Sequence, residues 1–173
     1  VAPVVAIPPM HAIVVSPTDR DLFVTTHDDG VVRVWRLIEV GGSSGDGKIE
    51  AVHVRDLGSH AGPAMCAAFH PSGRLLATGG GAAETRGIRL WDIDHGRELA
   101  ALSLFDESVF CLDFSPDGRW LAAGGEASRS DPDAGGLFYL IDLTAAEASM
   151  AGNLGNHIAR WTQRHGGPPP DAE

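Results

Sequence analysis

The sequence predicts an all-β protein made of short antiparallel sheets that repeat along the chain. Three segments align, and in each of them a tight turn lies between two short apolar runs and is followed by a third apolar run. Short apolar runs bounded by turn residues are typical of strands buried on both faces. The turn prolines Pro17, Pro71 and Pro116 are 54 and 45 residues apart, close to the length of one four-stranded repeat unit.

Each repeat has the same order of elements. The turns lie in Val15–Asp19, Phe69–Gly73 and Phe114–Gly118, where Pro fixes φ at one position and Gly or Asp suits the positions that follow. The apolar runs after these turns are Leu22–Thr25, Leu75–Thr78 and Trp120–Ala123, and the third runs are Val32–Arg36, Ile88–Asp92 and Phe138–Asp142. The pattern therefore predicts strands a and b as a hairpin, followed by strand c, in every repeat.

Two of these segments carry a resemblance to a known family. Ile88–Asp92 ends in a Trp-Asp pair, and the Phe-Ser-Pro-Asp-Gly segment Phe114–Gly118 has the form of an a–b turn in WD repeats. The chain thus resembles the WD-repeat family, of bacterial type, over about residues 10–143. The resemblance implies an incomplete β-propeller ring of about three blades, each a sheet of four antiparallel strands.

The resemblance also implies a division of the chain into blades. Strands c and d of blade 1 are expected to form a long hairpin over residues 31–40 and 48–57, strand d of blade 2 lies near Glu98–Ser103, and strand d of blade 3 is placed at Ala148–Leu154. The expected segments are an outer strand of a preceding blade at 1–9, blade 1 at 10–58, blade 2 at 59–104, blade 3 at 105–155, and the start of a further blade or a disordered tail at 156–173.

In this family a blade can be held by a hydrogen-bonded set: His before strand a, Ser or Thr on strand b, Asp in the b–c turn and Trp on strand c. By position, blade 1 lacks the His and offers Thr25 or Thr26, whereas blade 2 lacks the Asp. Blade 3 has Phe105 and Ile141 at the His and Trp positions, so the set is lost there. The residues expected to form this structural network are Asp29, Trp35, His60, Thr78 and Trp91.

Three blades do not close a propeller, because rings need four to eight of them. Two flanks with buried-type faces would stay open. We expect the ring to be completed by the remainder of the same polypeptide or by a different protein chain, and less readily by copies of this chain. The sequence begins at Val1 rather than at Met, which indicates a piece of something longer.

The charge and composition of the chain argue against some classes of partner. The net charge is −10 and no Lys/Arg cluster exists, which argues against nucleic acid and anionic membrane surfaces as partners. No apolar run approaches the length of a membrane span. Two widely separated cysteines, Cys66 and Cys111, do not make a disulfide framework, so a cytoplasmic location is expected.

Three segments could suggest chemistry, and we assign none of them a catalytic or cofactor role. Gly41–Gly45 matches a nucleophile elbow but is a hairpin tip without a following helix. Asp131–Gly135 lacks the further acidic ligands of a calcium loop, and Gly79–Gly81 is interpreted as a turn rather than a phosphate loop. We predict no catalytic residue, no metal site and no cofactor.

The predicted function is a non-enzymatic protein-interaction, scaffold or sensor module. The b–c loops at Ala82–Gly87 and Glu126–Gly135 are long, and long loops on a rigid scaffold often carry binding. The expected partner-binding residues are Glu84, Arg86, Asp106, Glu107, Phe110, Arg129, Asp131 and Asp133. The alternative is a propeller segment of a multidomain enzyme, a peptidase, kinase or NTPase, that controls access of substrate or activator.

Overall fold

The computed structural model of the chain describes residues 7–41, 47–81, 87–105, 107–126 and 136–143, and these ranges contain β-strands but no helix. The all-β prediction is confirmed. The strands are β1 (Met10–Val15), β2 (Leu22–His27), β3 (Val31–Val40), β4 (Lys48–Ser59), β5 (Ala64–Phe69), β6 (Leu75–Gly80), β7 (Gly87–Asp92), β8 (Arg97–Leu102), β9 (Val109–Phe114), β10 (Trp120–Glu126) and β11 (Gly136–Asp142).

The strands form three antiparallel sheets in which spatial order follows chain order. Blade 1 is β1-β2-β3-β4, blade 2 is β5-β6-β7-β8, and the described part of blade 3 is β9-β10-β11. The a–b turns close in the same way in all three blades. The amide of Ser16, His70 or Ser115 donates to the carbonyl six, five or five residues further on, at 2.9, 2.9 and 2.8 Å.

Strands β3 and β4 form the long hairpin predicted for blade 1. Their pairing runs from Val31 opposite Ser59 to Val40 opposite Lys48, whereas β7 and β8 of blade 2 have six residues each. Strand d of blade 2 lies one residue earlier than predicted. The strand predicted at 148–154, the further strand at 156–161 and residues 1–6 lie outside the described residues.

The three sheets lie side by side, with strand β5 of blade 2 packed between β1 and β9. One apolar core, which includes Val24, Val34 and Trp91, joins blades 1 and 2, and a second core joins blades 2 and 3. Strand β6 is buried along its whole length because blade 2 has a neighbour on each face. In the described part of the chain, blades 1 and 3 have one such neighbour each, so the ring is open.

The a–b turns of neighbouring blades also contact each other. The Nε2 atom of His70 in blade 2 donates to the carbonyl of Gly118 in blade 3 at 3.1 Å, and the His70 ring packs edge-on against Phe114 at 5.3 Å. A Cβ on Gly118 would overlap with the His70 ring, and a Cβ on Gly73 would overlap with Thr18 of blade 1. The turn glycines therefore let each blade approach the next closely.

The interpretation of Gly79–Gly81 as a turn is wrong for its first two residues. Gly79 and Gly80 end strand β6, and a Cβ on either would lie 2.6 Å from a neighbouring atom, the Cys66 sulfur or the His60 ring. The glycines are needed for close packing, a use that a glycine run does not reveal in sequence.

Candidate interaction site

In blade 2, three buried side chains form a hydrogen-bonded chain. The indole N–H of Trp91 donates to Oγ1 of Thr78 at 2.8 Å, and Nε2 of His60 lies 2.8 Å from the same oxygen. The loop before strand a, strand b and strand c are thereby tied together. Among the described residues, Nδ1 of His60 has no hydrogen-bond partner. Burial, with a contribution from the charge of Arg89, lowers the pKa of His60 to about 4, so this ring is neutral at physiological pH.

Blade 1 contains a similar chain with a histidine from a different place. Trp35 donates to Oγ1 of Thr25 at 2.8 Å, and Nε2 of His27 lies 2.7 Å from that oxygen. His27 Nδ1 lies 3.0 Å from the carbonyl of Pro8. Since a carbonyl can only accept, Nδ1 carries the proton and the Thr25 hydroxyl donates to Nε2. Blade 1 therefore does have a histidine, which comes from the end of β2.

His27 was not predicted from the sequence, because the family pattern places the histidine before strand a. The available signal was the alternation of strand side chains, which puts Thr25 and His27 on one face of β2. Asp29, expected in the network, is not brought to it. Its carboxylate instead accepts hydrogen bonds from the amide of Val31 at 3.1 Å and from the Arg33 guanidinium at 2.6 and 3.1 Å. The hydrogen bond with Arg33 lowers the pKa of Asp29.

Blade 3 replaces the polar chain by apolar packing. Phe105 and Ile141 are both buried, and Ala123 stands at the position of Thr78. The Phe105 ring packs edge-on against Tyr139 with centroids 4.8 Å apart. The hydrogen bonds are lost here as expected, but the same space is filled by side chains that need no polar partner.

The outer face of blade 1 exposes positions that blade 2 buries. Strand register makes Ile13 the counterpart of Ala67 and Trp35 the counterpart of Trp91. Ala67 is 9% exposed and Trp91 2%, because both pack towards blade 1, whereas Ile13 is 59% exposed. Trp35 is only half-buried. We call this face, which also includes Val15 and Phe23, the leading flank.

The outer face of blade 3, on the opposite side of the arc, also exposes positions that blade 2 buries. Cys111 and Phe138 are the counterparts of Cys66 and Ile88 in blade 2. Cys66 is 6% and Ile88 0% exposed against blade 3, whereas Cys111 is exposed and Phe138 is 36% exposed. We call this face the trailing flank. Each flank has the residue types of a blade-to-blade contact without a blade against it in the described structure.

Comparison with known families agrees with this geometry. A family model described as "WD domain, G-beta repeat" matches residues 51–92 and 97–130, which include strands β5 to β7 and β8 to β10. These two matched stretches are WD repeats. WD repeats build propeller modules for protein interaction, and WD40 domains are in general not catalytic. No curated protein matches the chain in sequence.

Of the partner-binding residues predicted on the loop face of this WD-repeat chain, the structure describes two. Phe110 lies at an irregularity near the start of β9 and is 49% exposed, and Glu107 is half-buried just before that strand. The remaining residues lie outside the described ranges: Glu84, Arg86, Asp106, Arg129, Asp131 and Asp133.

The described ranges also give findings on metal ligands, membrane spans and the two cysteines. Within the described ranges, no cluster of three or more His, Cys, Asp or Glu side chains is arranged to hold a metal ion, and none of the secondary structure is a long apolar helix of membrane-spanning size. Residues 131–135 and 42–46, which include the two loop motifs, lie outside these ranges. Cys66 and Cys111 are free thiols, and burial raises the pKa of Cys66 to about 12, which makes it unreactive.

Proposed function

We propose that the chain is one arc of a larger WD-repeat propeller that acts as a non-enzymatic protein-interaction module. The observation that carries this proposal is the contrast between equivalent positions. Ala67 and Ile88 in blade 2 are buried against neighbouring blades, whereas their counterparts Ile13 and Phe138 are exposed on the two flanks. Further blades, from the same polypeptide or another chain, cover these flanks in the working molecule.

The energy of such a cover is considerable. Burying one large apolar side chain is worth about 1.5–3 kcal/mol, and the leading flank exposes Ile13 and Val15 while the trailing flank exposes Phe138. The leading flank is also preformed, because the Trp35 ring is fixed by its bond to Thr25 and by ring contacts with Phe23 and His53. A preformed apolar face binds its cover with little loss of side-chain entropy.

Within this arc, partner recognition is assigned to the loops between strands b and c and before strand a. The blades beneath these loops are stiff because their strands are tied by hydrogen bonds or packed rings, and loops on a rigid scaffold are suited to binding. Phe110 is the described anchor of that face, since a half-exposed aromatic side chain contributes large contact area.

Sedimentation velocity of the full chain at about 1 to 100 µM tests the role of the flanks. We expect a mass that rises above the 18.1 kDa monomer with concentration, because uncovered flanks associate. Ile13→Lys places a charge on the leading flank and should lower this association. Val40→Lys, which changes an exposed apolar residue near the hairpin tip, is the matched control and should not. A monomer at all concentrations, or equal effects of both variants, would overturn the proposal.

A further inference from the structure

A pocket of about 280 Å³ lies between blades 1 and 2. Its walls come from the a–b turns of both blades, the c–d turn of blade 2 and the base of the β3–β4 hairpin. In a propeller blade these turns share the face opposite to the b–c loops. The pocket is therefore separate from both flanks and from the loop face considered above.

Three arginines and two aspartates line this pocket. Arg36 is paired with Asp19, and Arg74 is paired with Asp94, both at 2.8 Å. Arg55 is different, because no carboxylate of the described residues lies within salt-bridge distance of its guanidinium. The pocket thus holds one positive charge that its own walls do not neutralise.

The guanidinium of Arg55 lies against the neighbouring blade. It packs against the c–d turn of blade 2 so closely that a Cβ on Gly96 would lie 2.6 Å from its Nη1 atom. Gly96 has a φ of 64°, which suits glycine at this turn. The Arg55 residue is also exposed, so an anion can reach its planar guanidinium.

An apolar strip leads from the pocket along the β3–β4 hairpin. Ile38 and Val40 follow Arg36 on the same face of β3, and Val52 lies opposite Arg36. These three apolar side chains are 40%, 42% and 41% exposed. The hairpin continues four residues past Arg36, which is about 13 Å at about 3.3 Å per residue. The charged pair on this face, Lys48 and Glu50, neutralises itself at 3.0 Å.

We propose that the pocket and this strip together bind an extended peptide segment of a partner protein, in which an acidic residue is followed by apolar residues. The peptide carboxylate pairs with Arg55, and its alternate apolar side chains contact Ile38, Val40 and Val52. A single carboxylate matches the one unneutralised charge, whereas a doubly charged phosphate would face Asp19 and Asp94 with too little positive charge. The site rests on the proposed interaction function but uses neither flank.

Fluorescence polarisation with the full chain tests this site. The probe is a fluorescein-labelled peptide of one glutamate followed by four alternating leucines and valines, and its control replaces the glutamate by glutamine. We expect the glutamine peptide to bind at least about tenfold more weakly, and Arg55→Gln to weaken the glutamate peptide by a similar factor. Arg55→Lys should fall between the two, since it keeps the charge but loses the bidentate geometry.

Two matched controls separate the site from general effects. Arg20→Gln removes an exposed charge from the same a–b turn without touching the pocket, and Ile49→Thr changes the opposite face of the hairpin from Ile38→Thr. Of these four variants, we expect Arg55→Gln and Ile38→Thr to weaken binding and Arg20→Gln and Ile49→Thr to leave it unchanged, with the sedimentation behaviour unchanged in all four. Absence of binding at about 1 mM, equal losses for Arg20→Gln and Arg55→Gln, or equal binding of both peptides would overturn the site while leaving the flank proposal standing.

Discussion

The side chain that packs beside the strand-b residue aligned with Thr78 is different in each of the three blades. In blade 2 the loop residue His60 reaches the strand-b threonine, in blade 1 the strand residue His27 does so, and in blade 3 the apolar ring of Phe105 fills the space. Each solution pairs or removes the strand-b hydroxyl, although in blade 2 the buried Nδ1 of His60 keeps no partner among the described residues. The position of Thr78 and Trp91 could be predicted from the repeat, because strand spacing fixes it. The source of the histidine could not, because either the loop before strand a or the end of strand b can bring a ring to the equivalent threonine hydroxyl.

The buried ring of His60 makes stability depend on pH. Its pKa is about 4 in the folded chain, below the ordinary value of 6.5, so the unfolded chain binds a proton first as the pH falls. The folded state is therefore favoured above pH 6.5 and loses stability between pH 6.5 and pH 4. Urea unfolding should give an unfolding free energy lower by about 2 kcal/mol at about pH 5 than at about pH 7 from this residue alone.

The matched variant is His60→Phe, which puts at this position the residue type that blade 3 uses. It cannot titrate, so its unfolding free energy should fall less between the two pH values than that of the native chain. The difference between the two falls isolates His60 from the other histidines. Equal falls in both proteins would show that the His60 ring is not held neutral by burial.

At the scale of strands and turns, the sequence predicts well which elements form, but it predicts poorly what individual residues in them do. The Pro-containing turns and apolar runs correctly predicted the a–b hairpins, strand c and the long β3–β4 hairpin, because these depend on local turn chemistry and burial. Gly79 and Gly80 were interpreted as a turn, although they end strand β6. They leave space for Cys66 of β5 and for the His60 ring in the loop before β5, and neither contact is visible in the local sequence. Glycine used for close approach has no local signature.

The turn glycine Gly118 allows a comparison between backbone strain and packing. Its φ is 74°, and that of Gly41 is 82°, so alanine pays a similar backbone penalty of about 1 kcal/mol at either position. A Cβ on Gly41 meets nothing within 4 Å, whereas a Cβ on Gly118 meets the buried ring of His70. Chemical unfolding should show a loss for Gly118→Ala larger by about 1–3 kcal/mol than for Gly41→Ala. Similar losses would mean that the a–b turns do not lock blades 2 and 3 together.

For the whole molecule, blade 2 shows what a covered blade looks like and blades 1 and 3 show what is missing. The open flanks could be foreseen from the number of repeats alone, since three blades cannot close a ring. The pocket beside Arg55 could not be predicted from the sequence. It forms between strand β4 and the a–b and c–d turns of blade 2, which follow Arg55 by about 18 to 40 residues along the chain. Such a site appears only when the blades are packed side by side.

The two cysteines report whether the flanks are covered, because they occupy equivalent positions on β5 and β9. Cys111 lies on the open trailing flank, whereas Cys66 is buried against blade 3 and has a pKa of about 12. In dilute native chain, a thiol-specific reagent should therefore label Cys111 at least about a hundredfold faster than Cys66. Cys111→Ser should remove the fast phase and Cys66→Ser should keep it.

When the trailing flank is covered, at concentrations where sedimentation shows association, the fast phase should slow by at least about tenfold. Labelling of Cys111 that ignores association would mean that the contact forms elsewhere on the arc, and rapid labelling of Cys66 would mean that blade 3 separates from blade 2.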